Sequence, residues 1–328
     1  MTTRPFVTGR RAVGPSGRSA DQVPDYLAPS TGTLDAELTL PTTSANGIKI
    51  AFATHGDPTD PPLLVIHGLG AQMTDFPPEF LDGMVDAGFH VITFDNRDQG
   101  ESTWFDEAGE PDIASLLGEP ATPVPYLMID MAADAAGLLD ALGIDDAHIL
   151  GVSMGGMIAQ QFAVDFPTRI RSLTSIMSTP GPTTGPPTPE AMAALLVPPA
   201  EGRDAAIEQS LMTSRVIASP GFPFDNAGMR ARAEVHFDRG YHPVGTARLL
   251  AAILASPDRA ARLGGVTVPT LVVHGAADPL VTLPGGEATA AAVPGAELWV
   301  VEGMGHDLPA EVLPELCARQ AALLAQVD

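Results

Sequence analysis

The sequence predicts an α/β fold in which a mostly parallel central sheet is flanked by helices and interrupted by an inserted helical cap. Short apolar runs such as Leu63–Ile66, His90–Phe94 and Ala147–Gly151 alternate with stretches of helical periodicity. Continuous apolar runs are typical of strands that are covered on both faces, as in a parallel sheet. A long helical block then separates the strand signal at Ile170–Met177 from the next one at Thr270–His274, and this break predicts the cap.

The remaining elements follow in chain order. Asn46-Gly47 is a hairpin-turn signal between predicted strands at Leu38–Thr43 and Ile48–His55, and the last strand is predicted at Glu297–Val301. Seven prolines between Pro180 and Pro199 are too many for the interior of a helix or a strand. Helices are predicted at Tyr126–Leu142, Met154–Phe166, Arg203–Ala218, Asp225–Arg239, Val244–Leu254 and Pro309–Gln326.

These elements predict the domain organisation. Residues 37–179 and 263–328 are expected to form the core, and residues 180–262 the helical cap. Residues 1–36 carry no strand or helix pattern and are expected to form a poorly ordered N-terminal arm.

Composition excludes several classes of function. The chain has 328 residues, 17 Lys+Arg against 40 Asp+Glu, and a net charge of −23, which argues against nucleic acid or an anionic membrane as partner. No apolar run is long enough for a transmembrane helix. The single cysteine, Cys317, excludes an internal disulfide framework and a cysteine-based zinc cluster. The cytoplasm is the default expectation for the compartment, and the sequence carries no signal for an oligomeric state.

A candidate nucleophile lies in Gly151-Val152-Ser153-Met154-Gly155, which matches G-x-S-x-G. The motif alone is weak, but here it directly follows an apolar strand and opens a helix. Such a sharp strand-to-helix turn exposes the serine and tolerates only small neighbours. Ser153 is therefore predicted to be a nucleophile, and a simple helix-capping serine is the alternative.

A serine hydroxyl needs a base, and the base needs an orienting acid. Among eight histidines, His306 is the predicted base because it follows the last strand on a glycine-bearing loop, whereas His274 is expected to be structural. Asp278 follows the next-to-last strand and is the predicted acid, with Asp307 as the alternative. The order Ser153, Asp278, His306 is that of the α/β hydrolases.

Other residues are assigned to the surroundings of the nucleophile. The backbone N–H groups of Leu69 and Met154 are predicted to form an oxyanion hole. Asp95, Arg97 and Asp98 are interpreted as a buried ion-pair network, with substrate contact as the alternative. Four apolar side chains are candidates for the substrate pocket, although core packing is the favoured interpretation of each one: Met73, Phe76, Trp104 and Met177.

Five segments together carry a resemblance to a known family: HGLG, FDNRDQGES, GVSMGG, HGAADP and EGMGHD. In this order they resemble the α/β-hydrolase superfamily, and the match spans about residues 45–326. The DNRDQG segment with GFPFD and DRGYHP is similar to a group of bacterial esterases that includes aclacinomycin methylesterase and the serine-dependent macrolide esterases. The resemblance implies ester cleavage with no metal and no organic cofactor.

The sequence therefore predicts a carboxylic ester hydrolase that acts through an acyl-enzyme on a small or medium apolar ester. The resemblance extends this to a methyl ester or a macrolactone of a natural product. A perhydrolase, lactonase or acyltransferase with the same triad is an alternative, and so is a catalytically silent receptor for a small ligand.

Overall fold

A computed structural model describes residues 40–118 and 122–327, so the predicted N-terminal arm lies outside the described residues. Eight strands form one sheet in the order β1-β2-β4-β3-β5-β6-β7-β8. The predicted mostly parallel sheet is confirmed, since only the β1–β2 and β2–β4 pairs are antiparallel. The strands are β1 Thr42–Ala45, β2 Ile48–His55, β3 Pro62–Ile66, β4 His90–Phe94, β5 Ala147–Val152, β6 Ile170–Ile176, β7 Thr270–Gly275 and β8 Glu297–Val301.

The hairpin at Asn46-Gly47 is confirmed; its first strand begins at Thr42 within the described residues, and the predicted start at Leu38 lies outside them. Asn46 and Gly47 have φ angles of 48° and 78°. Two consecutive residues with positive φ form the tight turn that matches the twist of a hairpin. This turn pairs Ala45 with Ile48, so β1 includes Ala45, which the prediction had left in the turn.

Helices cover both faces of the sheet. Leu64 and Ile66 of β3 belong to the cluster that α3 and α4 complete, whereas Leu63 and Val65 alternate to the opposite face; all four are fully buried. The helices are α1 Pro78–Asp86, α2 Ile113–Gly118, α3 Met128–Leu142, α4 Met154–Asp165, α5 Pro189–Leu195, α6 Arg203–Ile217, α7 Asn226–Gly240, α8 Pro243–Ala255, α9 Ala260–Leu263, α10 Pro284–Ala292 and α11 Leu313–Val327.

The proline-rich stretch contains a helix, and the expectation that no helix forms there was wrong for α5. This helix begins at Pro189, and the side chain of Thr188 caps it by accepting the Ala191 N–H. Proline is favoured at the first helical position because its missing N–H would have no partner there. The helices that begin at Pro78 and Pro284 were not predicted, and both also have proline at their start.

Five helices, α5 to α9, separate β6 from β7, and the first four, α5 to α8, lie within the stretch 180–262 where the sequence predicts the cap. We refer to these four helices and the segments that join them as the cap. Among the residues that the model describes, no helix combines the length and the apolar character that a membrane span requires.

Candidate active site

Ser153 lies at a strained turn between β5 and α4. Its φ and ψ angles are 57° and −118°, a combination that L-residues rarely adopt. The turn is held because the Ser153 N–H donates to the carbonyl oxygen of Ile176 on the neighbouring strand β6, at 2.9 Å. The strain places Ser153 at the carboxyl edge of the sheet, at the start of a helix.

Glycines around Ser153 allow the helix to pack this closely. A Cβ atom on Gly151 would lie 2.0 Å from the carbonyl oxygen of Gly155, and one on Gly155 would lie 2.0 Å from that of Ile66. Backbone atoms cannot move aside as the end of a flexible side chain can. Glycine is therefore required at both positions, as the G-x-S-x-G pattern predicts.

Ser153, His306 and Asp278 form a hydrogen-bonded chain. The Nε2 atom of His306 lies 2.8 Å from the Oγ atom of Ser153, and its Nδ1 atom lies 2.8 Å from Oδ2 of Asp278. The three residues come from the ends of three strands, β5, β7 and β8, at one side of the sheet. The structure thus brings together the three residues that the sequence selects, 125 and 28 positions apart along the chain.

The carboxylate of Asp278 is fixed by its own loop. Its Oδ1 atom accepts the backbone N–H groups of Leu280 and Val281, both at 2.9 Å, which leaves Oδ2 for His306. His274 lies behind this loop, and its Nε2 atom donates to the Val281 carbonyl at 2.7 Å. Burial lowers the pKa of His274, so this ring is neutral and structural at neutral pH.

Asp307, the alternative acid, faces a different partner. Its Oδ1 atom accepts the hydroxyl of Ser219 in the cap, whereas the Nδ1 atom of His306 is directed at Asp278. Burial raises the pKa of Asp307, and the hydrogen bonds from Ser219 counteract part of that rise. The geometry therefore favours Asp278 as the partner of His306.

Two backbone donors lie beside Ser153. Gly68 is so close that a Cβ atom there would lie 3.2 Å from Cβ of Ser153 and 3.6 Å from its Oγ atom. The next residue, Leu69, lines the same cleft as Ser153. Met154 is the first residue of α4, where an N–H has no partner inside the helix. Within residues 40–118 and 122–327, neither the Leu69 N–H nor the Met154 N–H donates to another backbone or side-chain group.

An apolar cleft opens at Ser153 between the core and the cap. Among the described residues that line it, none is charged and none is a histidine, and Ser153 and two threonines are its only side-chain hydroxyls. No cluster of His, Cys, Asp and Glu in the described part of the chain has the arrangement of a metal site. The lining residues are Leu69, Ile113, Leu117, Ser153, Met157, Thr179, Pro182, Thr184, Gly185, Pro186, Pro187, Met192, Leu195, Leu196, Leu250, Ile253, Leu254, Leu280 and Val281.

The four side chains selected from the sequence as pocket candidates do not line this cleft. Met73 and Met177 are buried, and Phe76 stacks on Phe80 with 5.4 Å between ring centroids. Trp104 stacks on His242 of the cap with centroids 4.0 Å apart, and its Nε1–H donates to the Gly100 carbonyl. Packing within the core and against the cap thus accounts for these side chains.

Apart from Ser153 and Leu69, sequence reasoning missed the residues that line the cleft. Much of the wall comes from the proline-rich segment and α5, where Met192, Leu195 and Leu196 are spaced as i, i+3 and i+4. This spacing marks one apolar helix face and is the signal that was available. A segment that follows β6, the strand beside β5, must pass over the carboxyl edge where Ser153 lies.

Buried ion pairs form at the residues that follow β4, Asp95, Arg97 and Asp98. The interpretation of the sequence favoured such a network over contact with substrate. Arg97 makes two hydrogen bonds with Asp134, at 2.6 and 2.7 Å. Asp95 and Asp98 pair instead with arginines of the cap, Arg239 and Arg248. These charges therefore join the cap to the core.

Comparison with known proteins agrees with the fold. Residues 61–311 match the family described as "alpha/beta hydrolase fold". Rhodomycin D methylesterase DnrP of Streptomyces peucetius is 31% identical over 287 residues, which cover 80% of this chain and 90% of that protein. The homoserine O-acetyltransferase of Deinococcus radiodurans is 28% identical over 79% of this chain and 81% of its own length.

Solved structures show the same fold at lower identity. The meta-cleavage product hydrolase CumD of Pseudomonas fluorescens IP01, in a mutant form complexed with acetates, superposes with a TM-score of 0.67 at 18% identity, covering 88% of this chain and 98% of that one. At this identity the likeness concerns the fold alone. The chain belongs to the α/β-hydrolase fold family, and it is a hydrolase.

Proposed function

We propose that this protein is a carboxylic ester hydrolase that uses Ser153, His306 and Asp278 as a catalytic triad. The observation that carries the proposal is the continuous contact from the Ser153 hydroxyl through His306 to Asp278, with both distances at 2.8 Å. The strained backbone of Ser153 supports it, because such strain is typical of residues held for chemistry.

In the first half of the reaction, the Oγ atom of Ser153 attacks the ester carbonyl carbon while its proton passes to Nε2 of His306. The carbonyl oxygen becomes an oxyanion and accepts the N–H groups of Leu69 and Met154. Asp278 holds the Nδ1–H and stabilises the imidazolium. His306 then gives the proton to the alcohol oxygen, the carbon–oxygen bond of the ester breaks, and the acyl group stays on Ser153.

The second half repeats these roles with water. A water molecule transfers a proton to Nε2 of His306 and attacks the acyl carbonyl. The tetrahedral oxyanion returns to the same two N–H groups. When the bond to Oγ breaks, Ser153 recovers its proton from His306 and the carboxylic acid leaves.

The apolar cleft supports an uncharged, apolar ester as the proposed substrate class. Among the described residues that line it, none carries a positive charge. An acyl chain that ends in a carboxylate would therefore lose its hydration in the cleft without gaining an ion pair. The relative DnrP is named as a methylesterase. We therefore place carboxylic methyl esters with an apolar acyl part within the substrate class.

The first experiment compares wild type with Ser153→Ala on p-nitrophenyl esters from acetate to decanoate. We expect the variant to lose about 10⁴-fold or more of kcat while keeping the thermal midpoint of wild type, because only the attacking atom is removed. Near wild-type turnover in the variant would disprove the triad. Absence of turnover in both proteins would indicate a narrow substrate if a fluorophosphonate labels Ser153 of the wild type, and a receptor if it does not.

A second experiment tests the substrate class with a matched pair of esters. The p-nitrophenyl ester of pentanoic acid and the mono-p-nitrophenyl ester of glutaric acid have chains of equal length and differ by a terminal carboxylate. We expect kcat/KM for the charged ester to be lower by about tenfold or more, since it would bury an unpaired charge. Equal values would contradict the uncharged class.

A primary alcohol added to the same assay measures acyl transfer through the ester it forms, which is relevant because one relative is named as an acetyltransferase.

A further inference from the structure

The loop that carries His306 is held by the cap as well as by the sheet. The cap segment 217–221 begins at the last residue of α6 and runs alongside the loop 303–307. The His306 N–H donates to the Ile217 carbonyl at 2.7 Å, and three residues earlier on the loop the Gly303 carbonyl accepts the Gly221 N–H at 2.9 Å. The two backbones are therefore in direct contact on both sides of Gly305.

The contact is too close for larger residues. A Cβ atom on Gly305 would lie 2.5 Å from the Ala218 carbonyl oxygen, and one on Gly221 would lie 2.7 Å from Cα of Gly303. The backbones of the cap segment and the loop are thus in close contact, with no room for a Cβ atom at Gly221 or Gly305. A shift of the cap segment must therefore move the loop, or leave a gap beside it.

Ser219 lies at the centre of this contact. Its hydroxyl oxygen accepts the Gly305 N–H at 2.8 Å and its hydroxyl hydrogen is donated to Oδ1 of Asp307. Gly305 and Asp307 are the two neighbours of His306 in the chain. One buried hydroxyl, in a residue that is only 6% exposed, thus connects both sides of the histidine.

The sheet contacts the same loop from the other side. The N–H groups of Ala276 and Ala277 donate to the carbonyls of Val301 and Met304, and a Cβ atom on Gly275 of β7 would lie 2.7 Å from the Gly305 carbonyl oxygen. Beyond Met304, however, the backbone N–H groups of Gly305 and His306 both donate to the cap segment and to no core residue among those described. The backbone hydrogen bonds next to and at His306 therefore come from the cap.

We propose that Ser219 is a positioning residue that aligns His306 with Ser153, with Asp307 as its anchor. The proposal rests on the triad proposed above. A contact of 2.8 Å between Nε2 and Oγ must be kept within a few tenths of an ångström, and a displacement of about 1 Å can cost about 100-fold in rate. Ser219 acts on that distance through the backbone and does not touch the reacting atoms.

Three variants test the proposal. Ser219→Ala removes the hydroxyl, and Ser219→Thr keeps it. The matched control is Ser256→Ala, because Ser256 is also buried and follows a cap helix, accepts the Met128 N–H at 3.0 Å and donates to the Ala252 carbonyl at 2.7 Å. All three are compared with wild type for kcat, KM and thermal midpoint on p-nitrophenyl butyrate, and for the low-field proton NMR signal of the His306 Nδ1–H.

We expect Ser219→Ala to lower kcat by about 10- to 100-fold with KM changed less than about twofold, and to broaden or remove the low-field signal. Ser219→Thr should recover most of kcat. Ser256→Ala should keep kcat and the signal of wild type even if its thermal midpoint falls. Two further variants test the anchor, Asp307→Leu and its combination with Ser219→Ala. The double variant should be no slower than the slower of its two single variants, since both substitutions act on one contact.

Two outcomes would overturn the proposal. One is a Ser219→Ala enzyme with the kcat and the low-field signal of wild type; the other is a loss of kcat no greater than that of Ser256→Ala. Failure of the triad is recognised separately, because it would leave Ser153→Ala active.

Discussion

Two of the places where the cap contacts the core use different interactions. At one joint, α7 and α8 contact the loop after β4 through ion pairs between arginines and buried carboxylates. At the other, the segment 217–221 contacts the His306 loop mainly through backbone hydrogen bonds. We call these the ion-paired joint and the hydrogen-bonded joint.

The two joints are expected to affect different properties, one the stability of the fold and the other the rate of catalysis. Removing one partner of a buried ion pair leaves an uncompensated charge, which is costly to the folded state. Removing one hydroxyl from the hydrogen-bonded joint costs less free energy, but it alters the distance at which proton transfer occurs. The ion-paired joint is thus expected to determine whether the cap stays folded on the core, and the hydrogen-bonded joint how fast the site works.

The largest change in stability is expected from Arg248→Met at the ion-paired joint. Arg248 makes two hydrogen bonds with Asp98, at 2.8 and 2.7 Å, and the two side chains are 1% and 0% exposed. Burial alone would raise the pKa of Asp98, but Arg248, Tyr126 and the Phe105 N–H together lower it. Without Arg248 the carboxylate stays buried and unpaired, so we expect the free energy of unfolding in urea to fall by about 3–5 kcal/mol.

The double variant Asp98→Asn with Arg248→Met is the control for this prediction. It removes the charge that the single variant leaves unpaired, so it should regain part of the lost stability. If the free energy of unfolding of Arg248→Met were within about 1 kcal/mol of that of wild type, this pair would not hold the cap on the core. At a temperature where the single variant is folded, its kcat should match wild type, unlike that of Ser219→Ala.

The strands and the triad could be predicted because each has a local signal. Ser153, Asp278 and His306 all follow an apolar run, and the carboxyl ends of neighbouring parallel strands meet at one edge of the sheet. Both cap joints lacked such a signal. Asp98 and Arg248 are 150 positions apart, and nothing near either residue identifies its partner.

The pocket shows a second limit of local reasoning. Met73 and Met177 were selected because they flank the expected mouth of the pocket, but apolar side chains near a site and in the core look alike in sequence. Leu117 and Leu196 line the cleft and are exposed even with the cap in place, so by burial alone they resemble ordinary surface residues. Only tertiary packing decides whether an apolar side chain belongs to the core, the cleft or the surface.

A smaller, pH-dependent effect is expected at the edge of the ion-paired joint, where Nδ1 of His236 lies 3.0 Å from Oδ2 of Asp75. Burial alone would lower the pKa of His236, but the charge of Asp75, its hydrogen bond and the charge of Asp95 raise it above the usual value, against the opposing effect of Arg239. A raised pKa means that the protonated ring stabilises the folded state. This stabilisation is full below about pH 6.5 and is lost as the pH rises through the folded pKa.

The variant His236→Asn isolates this charge, because its amide N–H can replace the Nδ1–H donor. We expect it to be less stable than wild type by roughly 1 kcal/mol at about pH 5.5, with the difference shrinking toward about pH 9. Thermal melts across this range measure the effect. In an Asp75→Asn background the pH dependence should largely disappear, and its persistence there would assign it to another group.

The smallest effect is expected from Arg203→Ala, which removes an ion pair with the geometry of the Arg248–Asp98 pair but in solvent. Arg203 on α6 makes two hydrogen bonds with Asp238 on α7, both at 2.7 Å, but the two side chains are 43% and 57% exposed. Water and salt screen such a pair, and holding two long side chains in one geometry costs entropy. We therefore expect the urea midpoint of Arg203→Ala to equal that of wild type within error, at low and at high salt. A loss comparable to that of Arg248→Met would mean that hydrogen-bond geometry, rather than burial, determines what an ion pair contributes to the stability of this cap.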